Sequence, residues 1–104
     1  MIYAIQKSVQ AARDIEEAFV YIAENDLDVA VYFLVAVEES IETLAKQPFV
    51  GSSRNFQNIK LKNLRMWRVK GYENYLIIYT IEENVVKIMR MINAKRDCHL
   101  ILDL

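Results

Sequence analysis

A chain of 104 residues that is 54% hydrophobic, with only two glycines and one proline, has the composition of one folded domain over residues 1–104, not of a linker or a disordered tail. One cysteine and one histidine exclude an intrachain disulfide, a CxxC redox or zinc site and a histidine cluster, and no cofactor or metal is expected. The formal net charge of −1 hides a division. Residues 1–50 carry nine acids and three bases, net −6, and residues 51–104 carry ten bases and five acids, net +5.

The N-terminus "MIYAIQKS" has neither a basic leader nor a long apolar run, so no signal peptide is expected. "VAVYFLVAV", Val29 to Val37, is shorter than the ~20 residues a membrane span needs. With the lone thiol, this predicts a cytoplasmic protein.

Ile2 to Ile5 alternates and is rich in β-formers, which predicts a strand. Ser8 stands where a helix N-cap would. The helix then runs over 9–24, with Ala12, Ile15, Ala18, Phe19, Ile22 and Ala23 on its apolar stripe. It ends near Asn25, a residue that tolerates a left-handed backbone. A second helix follows over 27–47, capped by Asp26, with Ala30, Phe33 or Leu34, Val37, Ile41, Leu44 and Ala45 on its stripe. The short connection predicts an antiparallel helical hairpin. Between Leu27 and Val37 the apolar surface runs nearly all round, whereas a surface helix needs one stripe. Leu27, Val31, Tyr32 and Val35 therefore need cover from the rest of the fold or from a partner.

Pro48 stops the second helix and Gly51 permits a tight turn in the loop "KQPFVGSSRNFQN". The period then changes from 3.6 to 2. Segments 64–69, 75–81 and 85–93 read as three strands joined by short turns, hence successive antiparallel hairpins. The fold class is α+β, in the order β-α-α-β-β-β, with the helical hairpin packed on the sheet.

Alternation puts Arg65, Trp67 and Val69 on one face of the first of these strands, with Leu64, Met66 and Arg68 on the other. On the last strand Val86, Ile88, Arg90 and Ile92 oppose Val85, Lys87, Met89, Met91 and Asn93. One face or its rim then gathers several of Lys60, Lys62, Arg65, Arg68, Lys70, Arg90, Lys95 and Arg96. Guanidinium forks suit phosphate or carboxylate. Trp67, Tyr72, Tyr75 and Tyr79 have rings that stack on bases, although such residues more commonly fill a core. The carboxylates cluster on the helices, where solvation is the ordinary explanation. Cys98 and His99 are adjacent, which in a strand points them apart and argues against a thiol nucleophile.

Four segments, "SVQAARDIEEAFVYIAEN", "LAKQPFVGSSR" with its PxxGxxR spacing, "NLRMWRVKGYENYLIIYTI" and "VVKIMRMINAKRD", together resemble the ParE/RelE superfamily of toxins from bacterial type II toxin–antitoxin modules. They are closest to the ParE-like, plasmid-stabilisation branch. The resemblance covers nearly the whole chain. It implies a small toxin neutralised by an antitoxin whose C-terminal segment wraps around it, and such segments are typically acidic. It also implies one of two targets. ParE-like members act on DNA gyrase, whereas RelE-like members cleave messenger RNA on the ribosome.

By this resemblance Arg65, Arg68, Arg90, Asn93, Lys95 and Arg96 are candidates for target binding, and Leu27, Val31, Tyr32 and Val35 for antitoxin binding. The alternative, an endoribonuclease, would draw on Arg65, Arg90, Arg96 and His99. That branch uses a C-terminal Tyr or a His–Tyr ending, and here no Tyr follows Tyr79. A third reading is an inactive relative that only binds an antitoxin. The apolar residues of the second helix also leave room for a homodimer.

Overall fold

The computed structural model describes residues 2–53 and 63–97. In chain order these form β1 (Ala4–Lys7), α1 (Val9–Ala23), α2 (Leu27–Lys46), β2 (Ser52–Ser53), β3 (Arg65–Val69), β4 (Tyr72–Glu82) and β5 (Val85–Asn93). The sheet order is β1-β5-β4-β3-β2. β3, β4 and β5 form the two antiparallel hairpins that the period-2 segments predict. β1 joins parallel to β5, so the sheet is mixed. β2, a two-residue edge strand on β3, falls in the stretch read as loop. Two residues carry too little alternation to be seen in a sequence.

The predicted strand at Ile2–Ile5 lies two residues later, at Ala4–Lys7. β4 begins at Tyr72, three residues earlier than predicted. Gly71, at φ +82°, supplies the left-handed backbone that lets the β3–β4 turn close so tightly.

Both helices start on the caps expected. Ser8 Oγ accepts from Ala11 N at 2.9 Å, and Asp26 Oδ1 accepts from Val29 N at 3.2 Å. The end of α1 differs from expectation. Its cap is Glu24 in a right-handed conformation, and Asn25 has no positive φ. With Asp26 already capping α2, no left-handed residue is needed. The buried stripe of α1 is Ala11, Asp14, Ile15 and Ala18, with Ala12 exposed. The helix is turned by one position from the predicted stripe, which brings a carboxylate inside.

The helices pack on one sheet face. Ala11, Ile15 and Ala18 of α1 and Phe33, Val37, Ile41 and Leu44 of α2 meet Val69, Tyr75, Ile77, Tyr79, Val86, Ile88 and Met91. Phe33 anchors this core, with its ring centroid 4.8 Å from that of Tyr75 and edge-on to Tyr72 at 5.2 Å. On the opposite sheet face Leu64, Met66, Leu76, Ile78 and Ile92 form a second buried cluster. Tyr75 and Tyr79 are therefore core residues, not stacking platforms.

β5 does not alternate throughout. Ile78 pairs with Arg90 and Tyr79 with Ile88, which leaves Met89 as an extra residue in a bulge. The bulge corrects the predicted faces of this strand. Val86, Ile88 and Met91 face the helices, while Ile92 joins the far cluster. Ser8 Oγ donates to Met89 O at 2.8 Å, so the cap of α1 also holds the bulge.

Candidate functional site

Arg90, just past the bulge, reaches Asp14 of α1. Its Nε donates to Asp14 Oδ2 at 2.8 Å and its Nη2 to Asp14 Oδ1 at 3.2 Å. Met91 N donates to the same Oδ2 at 3.1 Å, and Gln10 Nε2 donates to Oδ1 at 2.9 Å. The Asp14 side chain is 7% exposed and that of Arg90 26%. Four donors on one buried carboxylate tie the middle of α1 to the end of β5. Hydrogen bonding to Asp14 raises the Arg90 pKa against the opposing effect of burial.

Beyond Arg90 the chain turns on Asn93. Its Oδ1 accepts from Lys95 N at 3.0 Å and Arg96 N at 3.1 Å, while Asp97 N donates to Asn93 O at 2.6 Å. Asn93 N donates to Asp97 Oδ2 at 3.3 Å and Ala94 N to Asn74 O at 2.6 Å. Arg96 donates from Nε and Nη2 to Asp97 and lies over the Tyr21 ring, 5.6 Å from its centroid. Its pKa is raised chiefly by the hydrogen bond to Asp97. Asp14, Glu17, Tyr75, Arg90, Asn93 and Arg96 thus border one small cleft of about 140 Å³ between α1 and the end of β5. Lys95 does not line it and is exposed.

The other predicted residues lie elsewhere. Arg65 is on the helix face of β3, where Nη1 donates to Gly51 O at 2.8 Å and Phe49 O at 3.2 Å and the guanidinium covers the Phe49 ring at 5.1 Å. It fastens the 48–51 loop, together with Tyr79, whose hydroxyl donates to Pro48 O at 2.7 Å and accepts from Gly51 N at 3.0 Å. Burial raises the Tyr79 pKa. These contacts explain the Pro48 and Gly51 of the PxxGxxR spacing, whose Arg54 lies outside the described residues.

Arg68 is exposed on the far face and donates to Glu73 O at 2.7 Å. Trp67 lines a larger groove of about 570 Å³ with Ser40, Thr43, Val50, Met66 and Lys70, at the sheet edge beside α2. Lys60, Lys62, Cys98 and His99 fall outside the described residues. Leu27, Val31, Tyr32 and Val35 are not covered by the fold, and are 60%, 48%, 68% and 50% exposed.

Asp14 is the residue that sequence reasoning missed, because a carboxylate on an acidic helix reads as solvated. The available signal was its place between Ala11, Ile15 and Ala18.

Residues 5–98 match the family described as the ParE toxin of the type II toxin–antitoxin system parDE. The chain belongs to this family of toxins. Among curated proteins none matches it in sequence. Its fold is shared with a chain of the chromosomal ParDE toxin–antitoxin system from P. aeruginosa. That similarity has a TM-score of 0.70 at 13% identity and covers 88% of this chain and 96% of that one. A chain of the E. coli DinJ–YafQ toxin–antitoxin complex follows at TM-score 0.58 and 15% identity, covering 91% and 96%. The YoeB dimer from Staphylococcus aureus gives 0.53 at 18% identity, covering 86% and 94%. At these identities the likeness is one of fold. No helix among the described residues is long and apolar enough to cross a membrane, and no cluster of potential metal ligands occurs among them.

Proposed function

We propose that this toxin works in the cytoplasm by binding DNA gyrase through the turn at the end of β5, with no chemistry of its own, and that a cognate antitoxin neutralises it. The observation that supports binding over catalysis is the employment of the arginines. A nuclease reading needs Arg65, Arg90 and Arg96 around one phosphate. Arg65 instead fastens the loop carbonyls of Phe49 and Gly51, and Arg90 is paired through Nε and Nη2 with Asp14. β4 also lies between the strands that carry them. At the turn Lys95 and Arg96 are exposed on the Asn93 scaffold, an arrangement that suits recognition, with Arg96 held by Asp97. The uncovered Leu27, Val31, Tyr32 and Val35 support a partner chain on α2.

The test is induced expression without antitoxin, followed by assays of gyrase supercoiling and of messenger RNA cleavage on ribosomes. Inhibited supercoiling with intact messages is expected. Site-specific message cleavage that disappears in His99→Ala would sink the binding-only reading. Activity in neither assay, with antitoxin binding intact, would instead identify an inactive relative.

A further inference from the structure

The uncovered residues of α2 have a frame. At ~100° per residue, Leu27, Val31, Tyr32 and Val35 share the outward side of the helix with Asp28, Glu38, Glu39 and Glu42. All of these are exposed. The apolar patch is therefore closed at its C-terminal end by Glu38, Glu39 and Glu42 and at its N-terminal end by Asp26 and Asp28. Against these five carboxylates stand two lysines, Lys7 on Glu38 and Lys46 on Glu42, each at 3.3 Å. Both pairs are solvent-exposed, so a partner's cation can replace either lysine at little cost.

This frame decides between occupants. A second copy docked by an antiparallel two-fold centred on Val31 would bring Glu38 of each copy to the acidic Asp26 end of the other helix. A parallel two-fold would set Glu38 and Glu39 against themselves. Both symmetric arrangements bury apolar surface only by stacking like charges. An acidic segment meets the same obstacle and is directed to the basic strand half of the chain instead.

We infer that the outer face of α2 receives an amphipathic segment of a different chain, with an apolar stripe flanked at both ends by lysine or arginine. This rests on the antitoxin reading and deepens it. The neutralising partner must carry a basic-flanked segment for α2, distinct from any acidic segment that meets the strands. Apolar burial supplies the affinity, and the flanking cations set specificity and speed of association.

The probe is a labelled helical peptide of roughly 18 residues, long enough to span Asp26 to Glu42, with a leucine stripe and a lysine pair at each end. Its twin carries glutamate pairs instead. On the full chain the lysine peptide should bind about tenfold tighter at low salt, the size of several exposed ion pairs acting together. The gap should close as salt rises. Val31→Ser with Val35→Ser should weaken both peptides. Glu38→Lys with Glu39→Lys and Glu42→Lys should cancel or invert the preference. These substitutions are on exposed positions, and circular dichroism checks that each variant is folded. Equal binding of the two peptides, or tighter binding of the glutamate twin, overturns the inference.

A second arm uses the antitoxin co-expressed with the toxin. If wild type captures it and the triple lysine variant captures it equally well, the antitoxin reading stands and the docking face is wrong. If wild type captures no antitoxin, the reading itself falls and the inference with it. Sedimentation of the toxin alone should give a monomer. Salt-sensitive chains of copies would identify the basic half of another toxin molecule as the occupant and overturn the inference.

Discussion

Replacing Asp14 by alanine removes one carboxylate and strands several donors at once. Met91 N loses its acceptor in a buried position, and Arg90 loses both of its hydrogen bonds. A buried, unsatisfied N–H costs about 1–3 kcal/mol. Breaking a fully buried ion pair from one side costs about 3–5 kcal/mol. The Arg90 side chain is a quarter exposed and can turn partly to water, so the lower part of that range applies. The total is about 2–4 kcal/mol, a large share of the ~5–15 kcal/mol that holds a domain folded. In a chain of this size it should lower Tm by roughly 10–25 °C. Asp14→Asn should not rescue it, because the amide NH₂ would face the guanidinium, donor to donor. Asp14→Leu combined with Arg90→Met should cost clearly less than the two single changes added, since no uncompensated charge is left. Urea denaturation of the four variants measures this cycle. A loss under about 0.5 kcal/mol for Asp14→Ala, the scale of an ordinary surface pair, would refute the clamp, and strict additivity in the double variant would refute the coupling.

Tyr79→Phe leaves Gly51 N and Pro48 O without their partner and should cost about 1–3 kcal/mol in the same assay. Because the Tyr79 pKa is raised above its ordinary 10.0, its contribution is intact below about pH 10 and is lost as pH rises through the folded value; alkaline melts should therefore fall more steeply for wild type than for Tyr79→Phe. Gly51→Ala brings a Cβ to 2.8 Å from Met66 O and against the Tyr79 hydroxyl, so the loop must shift, and a loss of about 1–3 kcal/mol is expected from overpacking. Arg96→Ala should weaken gyrase inhibition by roughly ten- to a hundred-fold, the worth of one charge-assisted contact, with Tm nearly unchanged; a matching loss of Tm would assign Arg96 to holding Asp97 instead. His99→Ala should leave inhibition within about twofold, because an affinity carried by charge and shape needs no proton transfer.

The legible parts of this fold were those with a strong local cause. Ser8 and Asp26 cap their helices because a short side-chain oxygen before an apolar helix has one good use. The period-2 segments gave β3, β4 and β5 because one face of each is buried against Phe33 and its neighbours. What was hidden depended on partners distant in sequence. The parallel seat of β1 on β5 joins Ala4 to Val85, and nothing near Ala4 encodes it. The bulge at Met89 has no turn residue to mark it, yet it reverses which later residues of β5 meet the helices. Of the candidate site, Asn93, Lys95 and Arg96 share one turn because they are close in sequence. Arg65 lies apart from them, by the 48–51 loop that Tyr79 from the adjacent strand also holds.

The division of charge along the chain takes a different meaning once these contacts are known. A net +5 in the second half suggests a broad basic face, but its arginines are unequally available. Arg90 is neutralised inside the fold by an acid of the first half, so part of the asymmetry is internal cement between α1 and β5. Arg65 faces carbonyls and Arg68 bonds its own hairpin. Mutating any basic residue would lower toxicity if the protein unfolded, so a scan of arginines by toxicity alone would draw the target site far too wide. Pairing each toxicity value with a melt separates the two groups. Arg65 and Arg90 should lose both together, whereas Lys95 and Arg96 should lose toxicity first. If Arg90→Lys, which keeps the charge but not the fork, lost stability and kept gyrase binding in proportion to the folded fraction, Arg90 would belong to the scaffold that presents the turn.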